Sequence, residues 1–305
     1  MSDSFILVTG GNGFIGSHVV DRLLKLGEKP LLLIREQSDL SKLNDVRNKV
    51  SFLKYADYIG DTEISRVKGV IHLATMYKRF HKPKDIEEII RANITLPTKI
   101  LEKSIELGAK FIINTGTFFR YDLSYKVLDE TTATRPYNLY ASTKISFEKI
   151  LDFFAWEKGL KAATLVLFSP YGPRDNPYKL IPSIIRNSLN QQCISLSNGT
   201  QRMDFTFVAD IVDAYIRSIN FLNNSGNSSH ELFNIGTGRN YSVKEVVGEI
   251  EHLTGKTLIK SWDGPAVDSF DAIADNSKAR DKLGWVPSFD LAEGLQHTID
   301  YFREA

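Results

Sequence analysis

The sequence predicts an α/β fold: a doubly wound parallel sheet followed by a smaller C-terminal α/β lobe. Three observations carry that prediction. Short apolar runs alternate with longer amphipathic stretches through the first half, and a glycine-rich turn joins the first run to the first such stretch. After Pro170 the texture changes to Pro/Gly-containing loops and mixed short elements.

In chain order, Phe5–Thr9, Pro30–Ile34, Gly69–Leu73, Phe111–Asn114 and Ala163–Phe168 read as strands. Each is a near-continuous apolar run, as expected where both faces of a parallel sheet are covered. Between them, Ser17–Leu26, Lys84–Leu107 and Ala141–Lys158 carry helical periodicity, with a break expected near Pro97. Gly27, Gly108 and Gly159 mark helix ends. Tyr171–Tyr178 (YGPRDNPY) reads as a loop, Ile181–Asn190 as a helix, and Asn223–Ser229 as an exposed polar loop. The expected division is a first domain over 1–169 and a smaller lobe over 170–305, with some later segments returning to the first.

Composition bounds the function. The 305 residues suffice for one large unit or two lobes sharing a core. A net charge of +1 argues against a nucleic-acid binder, which would carry a basic excess. The lone Cys193 rules out an intrachain disulfide and a cysteine-cluster zinc site. His18, His72, His81, His230, His252 and His297 lack metal-ligand spacing, so no metal is expected. The start, MSDSFILVTG, does not have the form of a signal peptide, and no apolar stretch reaches membrane-spanning length. A cytoplasmic protein is the expectation.

The strand Phe5–Thr9 runs directly into Gly10-Gly11-Asn12-Gly13-Phe14-Ile15-Gly16, then into a helix face of Val19, Val20, Leu23 and Leu24. Gly10, Gly13 and Gly16 suit a phosphate cradle, because glycines permit close backbone approach and a helix N-terminus favours the pyrophosphate charge. A glycine-rich turn without ligand is the plainer reading; the strand before and helix after favour a dinucleotide. The second strand ends in Ile34-Arg35, with no aspartate at its tip to hold a ribose 2′-hydroxyl. A guanidinium suits the 2′-phosphate of NADP. Glu36 is adjacent, and Arg35 could equally be a solvated loop charge, so NADP is favoured and NAD stays open.

Of twelve tyrosines, only Tyr140 has a lysine, Lys144, four residues later. It follows Arg135-Pro136 and opens the helix Ala141–Lys158, so the two side chains share a helix flank. An unperturbed phenol, with a pKa near ~10, is a poor base at neutral pH. A neighbouring ammonium would favour the phenolate. A surface Tyr–Lys pair is the alternative.

With these features assembled, the chain resembles the extended short-chain dehydrogenase/reductase family, and within it the nucleotide-sugar epimerases, reductases and dehydratases. The likeness runs through TGGNGFIGSH at the front, ADY at 56–58, IHLAT at 71–75, Asn93 in NITLPTKILE, YASTK at 140–144, SPYGP at 169–173, DFTFVADIVDAY at 204–215, FNIGTG at 233–238 and ADNSKARDKLGWVP at 274–287. INTGTFF, RPYNLYASTK and IHLATMY look most like the CDP-abequose synthase type of 4-ketoreductase.

The resemblance implies a Rossmann-type first domain that binds the dinucleotide and a second lobe that binds substrate. Gly10, Gly13, Phe14, Ile15 and Gly16 would hold the pyrophosphate, and Asp57 and Tyr58 would lie near the adenine. Leu73, Ala74, Thr75 and Asn93 would border the cofactor. Tyr140 would exchange the proton, and Lys144 would bond the nicotinamide ribose and lower the tyrosine pKa. The family's catalytic Ser/Thr lies 25 residues before the tyrosine, at Thr115, with Thr117 as the fallback. Met76 and Phe118 would line the sugar pocket, and the family's habit implies a homodimer through two helices, Asn93–Leu107 and Ala141–Lys158.

Three departures matter. Gly116-Thr117 stands where the 4,6-dehydratases carry Asp-Glu, which argues against a dehydratase. Met203 stands where an arginine usually precedes the Asp-Phe of DFTFV, with Arg202 one residue early. A second family arginine has no counterpart in GPAVD at 264–268. An anionic diphosphate needs cationic partners, so Arg174, Arg202 or Lys179 would have to serve, or the substrate is not a standard nucleotide sugar. The leading expectation is an NADPH-dependent reductase of a nucleotide-linked 4-keto-6-deoxy sugar. An NAD-dependent C4-epimerase is second, and a non-catalytic dinucleotide-binding scaffold or sensor is third.

Overall fold

The computed structural model describes residues 4–60, 62–226, 228–265, 268 and 270–304. Its centre is a seven-stranded sheet of β1 (Phe5–Thr9), β2 (Pro30–Ile34), β3 (Ser51–Lys54), β4 (Val67–His72), β5 (Phe111–Thr117), β6 (Lys161–Leu167) and β7 (His230–Ile235). The spatial order is β7-β6-β5-β4-β1-β2-β3. β1 pairs in parallel with β2 and β4, β2 with β3, and β4 with β5. Strand order therefore reverses between β1 and β4, and a crevice opens at their C-terminal ends, the place where doubly wound sheets take ligands. β3 and β7 are additions to the expected strands.

The connecting helices are α1 (Phe14–Lys25), α2 (Tyr55–Ile59), α3 (Ile86–Ile90), α4 (Leu96–Glu106) and α5 (Leu139–Lys158). No break falls at Pro97. Instead a π-turn over Arg91–Thr95 joins α3 to α4, and its wider coil gives the proline ring room against the preceding turn. α5 starts two residues earlier than expected, because the Asn138 side chain caps it by accepting from the Ala141 N–H at 2.9 Å. One core, of Leu7, Leu31, Val70, Ile100, Leu101, Ile112, Phe147, Leu151 and Phe154, fills the space between the sheet and α4 and α5.

The chain divides into two compact units. The first comprises 1–122, 133–166 and 212–233; the second comprises 123–132, 167–211 and 234–305. α7 (Val208–Asn224) begins in the second and runs on into the first. In the second unit, α6 (Leu180–Asn190), α8 (Val243–Thr254) and α9 (Leu291–Glu304) pack together. The buried Asp204 carboxylate accepts from the backbone N–H groups of Thr237, Gly238 and Ala274, and so pins the FNIGTG turn. No described helix is long and apolar enough to cross a membrane.

Candidate active site

The glycine turn occupies the crevice. Gly10 has φ +70°, and a Cβ there would sit 2.7 Å from the Ala74 amide nitrogen, so β1 and the end of β4 approach too closely for any side chain. A Cβ on Gly16 would run into the Gly10 carbonyl oxygen. Gly13, at the cap of α1, offers no side chain to the first-turn N–H groups, and no acidic residue lies in that turn. This cradle fits the phosphates of a dinucleotide.

At the tip of β2, Arg35 is exposed, and the neighbouring Glu36 carboxylate accepts from Lys54 Nζ of β3 at 2.6 Å. Tyr55, which the sequence reading missed, hydrogen-bonds Thr9 and lies within the field of Arg35. Burial is the dominant influence on its phenol, and it ends at about 12. Asp57 is exposed, but Tyr58 is 0% exposed and its hydroxyl lies 2.7 Å from Ser104 Oγ. The Tyr58 side chain thus belongs to the core beneath the crevice, because α2 turns that flank towards α4.

Leu73, Ala74 and Thr75 follow β4, and Asn93 in the π-turn holds this loop. Its Oδ1 accepts from the Met76 N–H at 2.7 Å and from Thr75 Oγ1 at 3.2 Å, while its Nδ2 donates to the Met76 carbonyl and to Thr143 Oγ1. Every polar atom of Asn93 is engaged by the protein, so its part here is to fix the Thr75–Met76 loop.

α5 presents Tyr140 and Lys144 inward, 8% and 2% exposed. The Tyr140 phenol hydrogen-bonds Thr75, and its ring meets Tyr77 edge-on at 4.9 Å between centroids. Burial holds that phenol well above its ordinary value, with Thr75 opposing and Tyr77 reinforcing. This differs from the expectation that Lys144 lowers it. Desolvation outweighs the other influences, and Lys144 itself is pulled down to about 8 by burial against the opposing pull of Glu148. The Lys144 charge acts instead on Glu148 and on buried His72, whose ring bonds Thr9 Oγ1 at 2.7 Å.

Thr115 Oγ1 donates to the His72 carbonyl at 2.8 Å and lies 2.5 Å from the Tyr215 hydroxyl of α7. The field of Tyr140 reaches the same Tyr215 phenol. Thr117 is buried and accepts from the Phe119 N–H at 3.4 Å, capping the short turn Phe118–Arg120. Phe118 and Phe119 pack at 4.4 Å, and Phe119 stacks on Tyr137 at 5.2 Å. Asn138 Nδ2 also donates to the Arg79 carbonyl, tying the loop after β4 to the start of α5.

The basic candidates of the second unit are more committed than the sequence shows. Arg202 spends Nε and Nη2 on Asn240 and pairs Nη1 with Glu245 at 3.0 Å. Lys179 is 2.9 Å from Asp175, and Arg174 adopts φ +65°. Of the GPAVD segment, Ala266 and Val267 lie outside the described residues.

A family model described as the NAD dependent epimerase/dehydratase family matches residues 6–236. The CDP-abequose synthase of Salmonella typhimurium (strain LT2) is 29% identical, with 97% of each chain covered. Among solved structures, the UDP-glucose 4-epimerase of Thermotoga maritima, determined with UDP-glucose, is 32% identical; its TM-score is 0.87 and 98% of each chain is covered. The UDP-glucuronic acid 4-epimerase of Bacillus cereus, in complex with UDP-glucuronic acid and NAD, is 25% identical; its TM-score is 0.85, with 98% of this chain and 99% of that one covered.

Proposed function

The chain belongs to the NAD dependent epimerase/dehydratase family, and from that premise we propose that it is an NADPH-dependent 4-ketoreductase of a nucleotide-linked 4-keto-6-deoxy sugar. The observation that carries this reading is the buried pair Tyr140 and Lys144 on one flank of α5, with Tyr140 bonded to Thr75 of the loop that abuts Gly10.

When bound, the dinucleotide supplies the hydride. Tyr140 protonates the sugar oxygen, and its burial keeps the phenol in the protonated form that a reduction begins from. Thr115 orients that oxygen by turning its hydroxyl from the His72 carbonyl, while Tyr215 continues to hold it. Lys144 binds the ribose and balances the charge left on Tyr140. Met76, Thr117 and Phe118 border the sugar, and Arg174 and Arg202 are the partners for the diphosphate. Arg35 favours NADP, because Lys54 occupies the neighbouring Glu36 carboxylate.

The similarity to the Thermotoga maritima UDP-glucose 4-epimerase supports a second reading, a C4-epimerase holding NAD. The two separate on cofactor demand. A reductase consumes NADPH stoichiometrically with a nucleotide-linked 4-keto-6-deoxyhexose, followed as loss of NADPH absorbance. Interconversion of C4 epimers with no added dinucleotide, and no NADPH loss on the keto sugar, would replace the first reading by the second. We also propose a homodimer through the two helices expected from the sequence, 93–107 (the end of the π-turn and α4) and α5, where Phe153 and Trp156 are exposed, the latter at 81%.

A further inference from the structure

α5 carries Tyr140, Lys144, Glu148 and Asp152 at successive intervals of four, and so along one flank. The proposed reaction uses the first two. Glu148 touches neither substrate nor dinucleotide in that scheme, yet it is only 3% exposed. Burying a carboxylate costs several kcal/mol unless it is closely paired, and a buried pair is a poor way to stabilise a fold. Its partner is Arg120, in the turn after β5, whose Nη1 donates to Glu148 Oε2 at 2.5 Å. The other carboxylate oxygen, Oε1, and Arg120 Nε are buried and bond no other described residue.

The charges around this pair come from every element that faces it. Lys144 is one turn before Glu148 on α5, Arg120 faces it from the turn after β5, and His230 faces it from β7. His230 in turn bonds Asp152 Oδ1 at 2.7 Å through Nδ1 and Thr164 Oγ1 at 2.8 Å through Nε2. The Lys144 charge also reaches His72 of β4. Glu148 is therefore the anion that opposes the desolvation of Lys144.

We propose that Glu148, clamped by Arg120, is a positioning residue that keeps the Lys144 ammonium charged for the dinucleotide ribose. The inference rests on the function proposed above. With the anion removed, burial acts on Lys144 unopposed, and the amine sheds its proton at lower pH. A neutral amine is a weaker donor to a ribose hydroxyl, so dinucleotide affinity should report the change without any turnover.

The test is calorimetric titration of the full-length protein with NADPH from pH 6 to 9.5, for wild type and E148Q. The amide keeps the shape and still accepts from Arg120. In wild type the affinity should weaken as pH rises through the Lys144 transition. In E148Q that break should move acidward by about one pH unit, with affinity at the acid end within about twofold of wild type. Should E148Q not fold, E148D withdraws the charge by one methylene and should show a smaller shift in the same direction. A break at the wild-type pH in the folded variant, or a wild-type affinity flat across the range, overturns the inference alone. A wild type that binds no dinucleotide at any pH overturns the functional reading with it.

Discussion

The Tyr215 hydroxyl stands 2.5 Å from Thr115 Oγ1, joining side chains 100 positions apart in the chain. Because Thr115 donates its single proton to the His72 carbonyl, Tyr215 is the donor in this pair. A hydroxyl that accepts a hydrogen bond becomes a better donor to a third group. Tyr215 therefore primes Thr115 for the substrate oxygen.

Tyr215→Phe should lower kcat about tenfold, corresponding to roughly 1–1.5 kcal/mol for one lost hydrogen bond. NADPH affinity should stay within about twofold, since α7 does not contribute to the glycine cradle. Steady-state kinetics beside a binding titration decides the matter. An unchanged kcat would remove Tyr215 and, with it, Thr115 from the reacting centre.

The first half of the fold was legible because its inner strands are covered on both faces, and Phe5–Thr9 or Pro30–Ile34 read as unbroken apolar runs. β3 was not, because Ser51 and Lys54 of this edge strand are exposed and break the pattern. β7 hid for a similar reason, opening with His230 and Glu231 at the opposite edge. In the site, Tyr140 and Lys144 stood out by their spacing taken together with their place at a helix start and the glycine turn upstream. Extending that spacing by one turn would have found Glu148. No local pattern marks Tyr215, which looks like one more inward residue of α7 beside Ile211, Ala214 and Ser218. The Tyr58 side chain was placed near the adenine by family likeness, and its burial against Ser104 depends on α4, about 45 residues away.

Gly16→Ala separates cradle from scaffold. Alanine is the better helix former by about 1 kcal/mol, so the helix itself should not suffer. The new Cβ collides with the Gly10 carbonyl oxygen and must push the turn apart. Dinucleotide affinity should fall at least about tenfold, while the thermal midpoint changes by only a few degrees. Retained affinity would place the phosphates somewhere other than this turn.

Arg35→Ala tests the cofactor. A charge-assisted bond to a 2′-phosphate contributes about 1.5–3 kcal/mol, so NADPH binding should weaken about tenfold or more while NADH binding hardly moves. Equal effects on both, read from paired titrations, would leave the 2′-phosphate without a role at Arg35 and return the choice to NAD.

Lys144→Met should abolish turnover without weakening the fold at neutral pH. Burial pulls the native amine down to about 8, below its ordinary 10.5, so between those values the unfolded chain holds a proton that the native one has released. Stability therefore rises with pH through that window, and below it the native state carries the full cost of a buried charge, on the order of 3 kcal/mol. Methionine fills a similar volume without that cost, and Glu148 keeps its pairing with Arg120. The variant should unfold at an equal or higher temperature than wild type at pH 7, and that advantage should shrink as pH climbs from about 8 towards 10.5. Thermal unfolding of both proteins across that range measures it. A variant less stable than wild type at pH 7, by a margin independent of pH, would mean that Lys144 supports the core rather than straining it.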